Sequence, residues 1–220
     1  MIKLFTTVFA VVVSLVTVTA QAQDIKGDAK AGQNINAMCI GCHGIKGYQA
    51  SFPEVYKVPM ISGQNAKYIV SALNAYKKGE RKHPSMRGIA ETLTDQNMAD
   101  LAAYYSSHGV VEGQSAPKDV KAPNAQVTAL LAKANCAACH GANFSMPIDP
   151  SYPKIGGQHA DYLYVALKSY KNESNAIVGR GNAVMAGMAK QYSNAELKQL
   201  ANYLASVQGD LKVAPQSIWR

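Results

Sequence analysis

After its first 22 residues the chain has no apolar run approaching the roughly 20 residues that cross a bilayer. No stretch alternates apolar and polar residues long enough to make a central strand, which excludes a sheet-centred fold. Acidic residues are few, 14 Asp and Glu against 22 Lys and Arg. Yet the Lys residues are scattered, and without a basic helix or an aromatic-basic stripe the positive charge does not describe a nucleic-acid binder. Cysteine is scarce, and its four copies fall into two Cys-x-x-Cys pairs that leave none over for a disulfide. With 220 residues, 48% apolar and 16% charged, the chain suits one or two small soluble domains.

What is present is organised around Cys39-Ile-Gly-Cys42-His43 and its recurrence as Cys136-Ala-Ala-Cys139-His140. Cys-x-x-Cys-His is the attachment signature of a c-type haem, in which two thiols add across porphyrin vinyl groups and the next residue offers an imidazole to the iron. On a helical turn, residues three apart project to one side, so both sulfurs reach the macrocycle edge and the His falls under the metal. One Cys-x-x-Cys alone also fits half a zinc site or a redox dithiol. Two copies, each followed by His in an exported chain, leave those readings little room. The expected cofactors are two covalently bound haems c, on Cys39 and Cys42 and on Cys136 and Cys139.

Residues 1–22 read as a secretory signal: Lys3, then the apolar Leu4 to Val18, then Ala20-Gln21-Ala22 as a cleavage site. An uncleaved anchor fits less well, because the apolar run holds Thr6, Thr7, Ser14 and Thr17. The mature chain is expected to begin at Gln23, in the periplasm, where c-type haems are joined. The formal charge of +8 falls by one with the loss of Lys3, and four haem propionates bring it to about +3.

An internal repeat decides the architecture. Cys39 to His43 is followed by Pro59-Met60-Ile61-Ser62-Gly63-Gln64, Tyr68, Leu73, Tyr76, Met86, Thr94, Leu101 and Tyr104. Cys136 to His140 is followed by Pro153-Lys154-Ile155-Gly156-Gly157-Gln158, Tyr162, Leu167, Tyr170, Met185, Ser193, Leu200 and Tyr203. Order and spacing match, so each half is one domain with one haem: 23–107 and 124–212, with a linker at 108–123 and a tail at 213–220. The linker reads as a solvated strap. A period of 3.6 runs through Tyr68, Ile69, Ala72, Leu73 and Tyr76 and its second copy, and through the last helix of each half, so the fold class is all-α. Asp28 and Asn124 are N-caps of the entering helices, Ser193-x-x-Glu196 is a capping box, and Thr94 caps the first copy without the Glu.

An iron held by His43 or His140 needs a sixth ligand or an open position, which separates carriers from catalysts. Methionine suits a carrier, because its neutral, soft thioether favours Fe(II). Met38 adjoins the attachment turn and Met98 lies on the apolar stripe, so Met86 is chosen in the first half, in a loop after the middle helix. The repeat pairs it with Met185, each having Gly two residues on, and Met188 stands as the competing choice. Pro59 and Pro153 recur where a backbone carbonyl could accept from the proximal imidazole. His83, His108 and His159 do not recur and read as surface or loop residues.

Each half resembles a class I cytochrome c domain. Two in tandem, with Pro-x-Ile-x-Gly-Gln, a Tyr-rich middle helix and Met-x-Gly before a capped last helix, resemble the dihaem cytochrome c4 family. The resemblance implies a pseudo-twofold pair with two His/Met haems whose propionates face across the interface. It implies single-electron transfer from a quinol-oxidising complex, quinol–cytochrome c reductase, toward a terminal oxidase, with peripheral association at the membrane surface. One departure is that the second half lacks the Gly27 to Gly32 start, with Ala129 in place of Gly32. Two other classes compete. A dihaem peroxidase-like enzyme needs a displaceable ligand and an acid-base pair that the sequence does not offer. A cytochrome subunit of a larger periplasmic oxidoreductase would keep the same haems inside a permanent complex.

Overall fold

The structure, a computed structural model, describes residues 25–215 apart from 112, 114, 119, 173 and 174. The secretory signal, its cleavage at Gln23 and the last five residues of the tail lie outside the described residues. Two helical lobes follow each other along the chain.

In the first, the Asp28 carboxylate accepts the Lys30 and Ala31 N–H groups at 2.7 and 3.2 Å and opens α1 (Ala29–Ile35). Asn36 then turns the chain into α2 (Ala37–His43), which carries both cysteines and His43 on adjacent turns. A short hairpin, β1 (Gln49–Ala50) with β2 (Tyr56–Lys57), leads to α3 (Ala66–Lys77). After β3 (Arg81–Lys82) come α4 (Pro84–Glu91) and α5 (Asp95–Ser107). The last of these is the spine, burying Met98, Leu101, Ala102, Tyr104 and Tyr105 against Ile40, Ile69 and Leu73. Full burial of side chains such as Met98 and Leu101 stabilises by about 1.5–3 kcal/mol each. Crossing α5, α1 comes so close that a Cβ on Gly32 would lie 2.1 Å from the Asp100 carbonyl oxygen. Thr94 does form a capping box, closed by the shorter Asn97 in place of Glu.

The second lobe repeats this order with α6 (Ala125–Lys133), α7 (Cys136–His140), α8 (Ala160–Ser169), β4 (Gly179–Arg180), α9 (Ala183–Ala189) and α10 (Asn194–Ser206). Asn124 caps α6 at the Val127 N–H, and Ser193 with Glu196 forms the expected box on α10. Here Ala129 does not take the packing place of Gly32. It is exposed, and α6 meets α10 through the bulkier Val127 and Leu130, which spread the second core into two neighbouring clusters.

The connection between the lobes, 108–123, is mostly exposed among its described residues and is tied down at three points. Ala116 is buried with its N–H on the Asp210 carboxylate, Asn143 donates to Pro117 O, and the Tyr203 hydroxyl donates to Lys121 O. The lobes also meet directly. Arg81 pairs with Arg180 across antiparallel β3 and β4, the Gly181 N–H donates to Glu80 O at 2.7 Å, and Lys168 meets Glu54. Among the described residues no helix is long and apolar enough to cross a membrane.

Candidate functional site

In both lobes the attachment motif is helical, as its spacing requires, and all four cysteines are free of disulfides. Burial, with Cys42 beside it, pushes the Cys39 thiol up to about 11, and burial raises Cys136 as well. Such thiols are the opposite of the activated thiolates of a redox dithiol. Among the described residues no group of three or more His, Cys, Asp or Glu is gathered so that it could hold a metal ion.

The histidines after the motifs are oriented alike. His43 Nδ1 lies 2.8 Å from Pro59 O, and His140 Nδ1 lies 3.0 Å from Pro153 O. A carbonyl can only accept, so Nδ1 carries the proton and Nε2 keeps its lone pair. Burial pushes both imidazoles down, against the opposing effect of those carbonyls, and so favours the neutral ligand form. The two prolines cannot donate and present fixed carbonyls. Glycine at the next turn completes the geometry: Gly63 and Gly157, at φ +83° and +75°, bend the chain so that their N–H groups reach Tyr105 O on α5 and Leu204 O on α10.

The structure places Met86 and Met185 identically, although not in loops. Each is the third residue of a short helix, and its own N–H is accepted by the N-cap side chain, His83 Nδ1 at 3.4 Å or Asn182 Oδ1 at 3.0 Å. His83 is therefore a cap and not a free surface residue. The Met86 side chain packs against the first core. The Met188 sulfur lies 3.8 Å from Gln191 Nε2. Met98 is fully buried in the core and Met38 is exposed. His108 also differs from its sequence reading, since it stacks on Tyr104 with ring centroids 4.7 Å apart and bonds Ser62 Oγ at 3.0 Å.

Between the lobes lies a cluster that the motif reading did not find. Arg81 donates to the hydroxyls of Tyr68 and Tyr162, both at 3.3 Å, and Arg180 donates to Tyr162 at 3.0 Å. The Arg81 guanidinium sits 4.5 Å from the Tyr76 ring, and that of Arg180 sits 5.5 Å from Tyr170. Burial would raise the Tyr162 phenol, but the two guanidinium groups outweigh it and hold it at about 8. Among the described residues no carboxylate meets either cation, and Arg81 Nε is buried without a partner. Two adjacent, partly buried cations, one with a buried orphaned Nε donor, call for anions. The four propionates of two haems fit that demand, as the thiol pairs and oriented imidazoles fit the rest of the group. A signal was there to read: Arg stands five residues before the chosen Met in both halves.

The cytochrome c family model matches residues 29–108 and again 125–208. Cytochrome c4 of Azotobacter vinelandii is 30% identical over 190 residues, covering 81% of this chain and 88% of that protein. A thiosulfate dehydrogenase electron acceptor of Stutzerimonas stutzeri is 29% identical over 206 residues, covering 88% and 90%. The crystal structure of reduced cytochrome c4 from Pseudomonas stutzeri superimposes with a TM-score of 0.57 at 28% identity, over 83% of this chain and all of that one. A repeated haem-attachment site in each of two helical lobes, matched twice by one family, makes the chain a member of the cytochrome c family, of the dihaem c4 type that transfers electrons through two covalently attached haems c.

Proposed function

We propose that the chain is an exported periplasmic carrier of single electrons, with domains at 23–107 and 124–212, in which His43 and Met86 ligate one iron and His140 and Met185 the other. Cys39 and Cys42, and Cys136 and Cys139, supply the thioethers. The observation that carries this reading is the recurrence, in both lobes, of a neutral imidazole whose Nδ1–H is held by a proline carbonyl while a capped methionine stands at the same helix position. The haems supply the Fe(III)/Fe(II) couple. The protein's part is to keep the coordination unchanged between oxidation states. Pro59 and Pro153 fix the imidazoles, and the helix caps at His83 and Asn182 fix the methionines. The cores around α5 and α10 exclude water, and Arg81 and Arg180 would hold the propionates. Nothing here moves a proton or forms a bond, so reorganisation on electron transfer is small.

Electrons are taken from a quinol-oxidising complex and delivered toward a terminal oxidase, in brief, partly charge-steered encounters. A second reading is that the protein accepts electrons from a sulfur-compound dehydrogenase, and the relative named as a thiosulfate dehydrogenase electron acceptor favours it. A redox titration of the mature protein, with spectra recording axial ligation at each step, tests the assignment. Two one-electron steps with His/Met spectra in both states are expected. Strong carbon monoxide binding by the reduced native protein would sink it, and recovery only in a permanent complex with a dehydrogenase would favour the second reading.

A further inference from the structure

Two buried glutamines join the lobes through a reciprocal pair of contacts that end on the peptide groups behind the proximal histidines. Gln158, 4% exposed, accepts the Met60 N–H on Oε1 at 3.0 Å and donates from Nε2 to Met60 O at 2.8 Å. Gln64, equally buried, accepts the Lys154 N–H at 2.9 Å and donates to Lys154 O at 3.0 Å. The Met60 N–H and the Pro59 carbonyl are the two ends of one peptide group, and so are the Lys154 N–H and the Pro153 carbonyl. Each Oε1 also accepts a neighbouring N–H, from His159 or Asn65, so the amides cannot be turned over without losing two acceptor bonds. A continuous chain of hydrogen bonds therefore runs from His43 through peptide 59–60 to Gln158 of the other lobe, and from His140 through peptide 153–154 to Gln64.

We propose that Gln64 and Gln158 are positioning residues, each tuning the reduction potential of the haem in the opposite lobe. The proposal rests on His43 and His140 being the proximal ligands. A peptide that donates through its N–H carries more negative charge on its carbonyl and accepts more strongly at that end. The stronger acceptor draws on the imidazole Nδ1–H and makes the ring a more basic ligand. A more basic ligand favours Fe(III), so each glutamine lowers the potential across the interface. A single net hydrogen bond, at about 0.5–1.5 kcal/mol, changes an equilibrium roughly two- to twelvefold. Because the brace crosses between lobes, each haem's driving force answers to the glutamine of the opposite lobe.

The test uses the full mature protein with both haems attached, in which haem methyl resonances assigned to each lobe are followed through a redox titration. Gln158→Leu removes both bonds to Met60 at nearly constant volume. It should favour reduction of the His43 haem about threefold, which is about 28 mV at 59 mV per tenfold for one electron, and change the His140 haem by less than half as much. Gln64→Leu should do the mirror image. In each case the Nδ1–H resonance of the affected histidine moves and its partner's does not. Gln158→Glu keeps an acceptor on the Met60 N–H and holds the His43 haem at or below its original potential, and it carries the test should a Leu variant fail to fold. A latch that merely held the lobes together would move both haems together in every variant, and that result, no shift in either haem, or a rise in Gln158→Glu overturns the proposal. Failure of the ligand assignment is separately visible, since the unaltered protein would then lack paramagnetically shifted ring signals from His43 and His140.

Discussion

Asp161 Oδ2 receives both the backbone N–H and the ammonium of Lys57, each at 3.1 Å, so one carboxylate on α8 holds the end of β2 in the opposite lobe. Burial alone would push this carboxyl up. The Lys57 N–H and ammonium, with the Tyr162 N–H, outweigh burial and hold it below the usual carboxylate range. A folded value below the unfolded one gives stability that is present above about pH 3.9 and is lost as pH falls through the folded value. Asp161→Ala should cost about 1 kcal/mol at pH 7, a half-exposed pair being partly screened. Thermal unfolding at pH 7 should show a Tm lower by about 2–4 °C, and the gap should close as pH is lowered below 4. A gap that persists at low pH would mean that the charge is not its cause.

Glycine matters unequally along the repeat. Gly41 lies in α2 with open space where a Cβ would project, nothing coming within 4 Å, and its counterpart in the second motif is Ala138. Gly41→Ala should stabilise by roughly 0.5–1 kcal/mol through helix propensity. Gly32→Ala meets the Asp100 carbonyl oxygen at 2.1 Å and Tyr104 Cβ at 2.9 Å. It must push α1 off α5, at a cost of about 2 kcal/mol or more. Denaturant midpoints of the two variants, measured with haem attached, should therefore move in opposite directions.

Much of the fold was written in local chemistry. The buried faces of α3 and α5, the caps at Asp28, Asn124, Thr94 and Ser193, and the repeat itself all follow from periodicity and side-chain type. The proline carbonyls behind His43 and His140 could be anticipated because a rigid residue recurs at one offset from each motif. What stayed hidden depends on one lobe meeting the other. Gln64 and Gln158 recur visibly, yet their partners lie about ninety residues or more away in sequence, at Lys154 and Met60. The pairing of Arg81 with Arg180 is equally non-local. The helical setting of Met86 was obscured because His83 is a rare N-cap, and Ala129 misled because α6 rolls Val127 and Leu130 inward in its place.

The choice between Met185 and Met188 can be settled by paired variants. Met185 holds the third position of α9, as Met86 does in α4, whereas the Met188 sulfur meets Gln191. Met185→Ala should leave one iron open, seen as a high-spin signal and carbon monoxide binding at one haem of two. Met188→Leu conserves volume and should change stability by less than about 1.5 kcal/mol, with the ligand spectrum intact. Carbon monoxide binding in Met188→Leu alone would reverse the assignment.

Arg81 and Arg180 stand side by side without a carboxylate among the described residues, so their charge must bear on whatever anions lie between the lobes. Positive charge near an iron favours the reduced state, in which the site carries one positive charge fewer. Arg180→Gln, which keeps donors for the Tyr162 hydroxyl, should lower the haem potentials, by about 59 mV for each tenfold change in the reduction equilibrium. Arg81→Gln should act in the same direction, because Arg81 also reaches Tyr162 across the interface. The Tyr162 phenol reports the same charges independently. With one guanidinium gone its ionisation should move upward from about 8 toward the ordinary tyrosine value, and the Tyr162 ring resonances of each reduced variant, followed as pH is raised, measure that rise. Potentials that do not fall in either variant would mean that the cations are neutralised by groups other than the propionates.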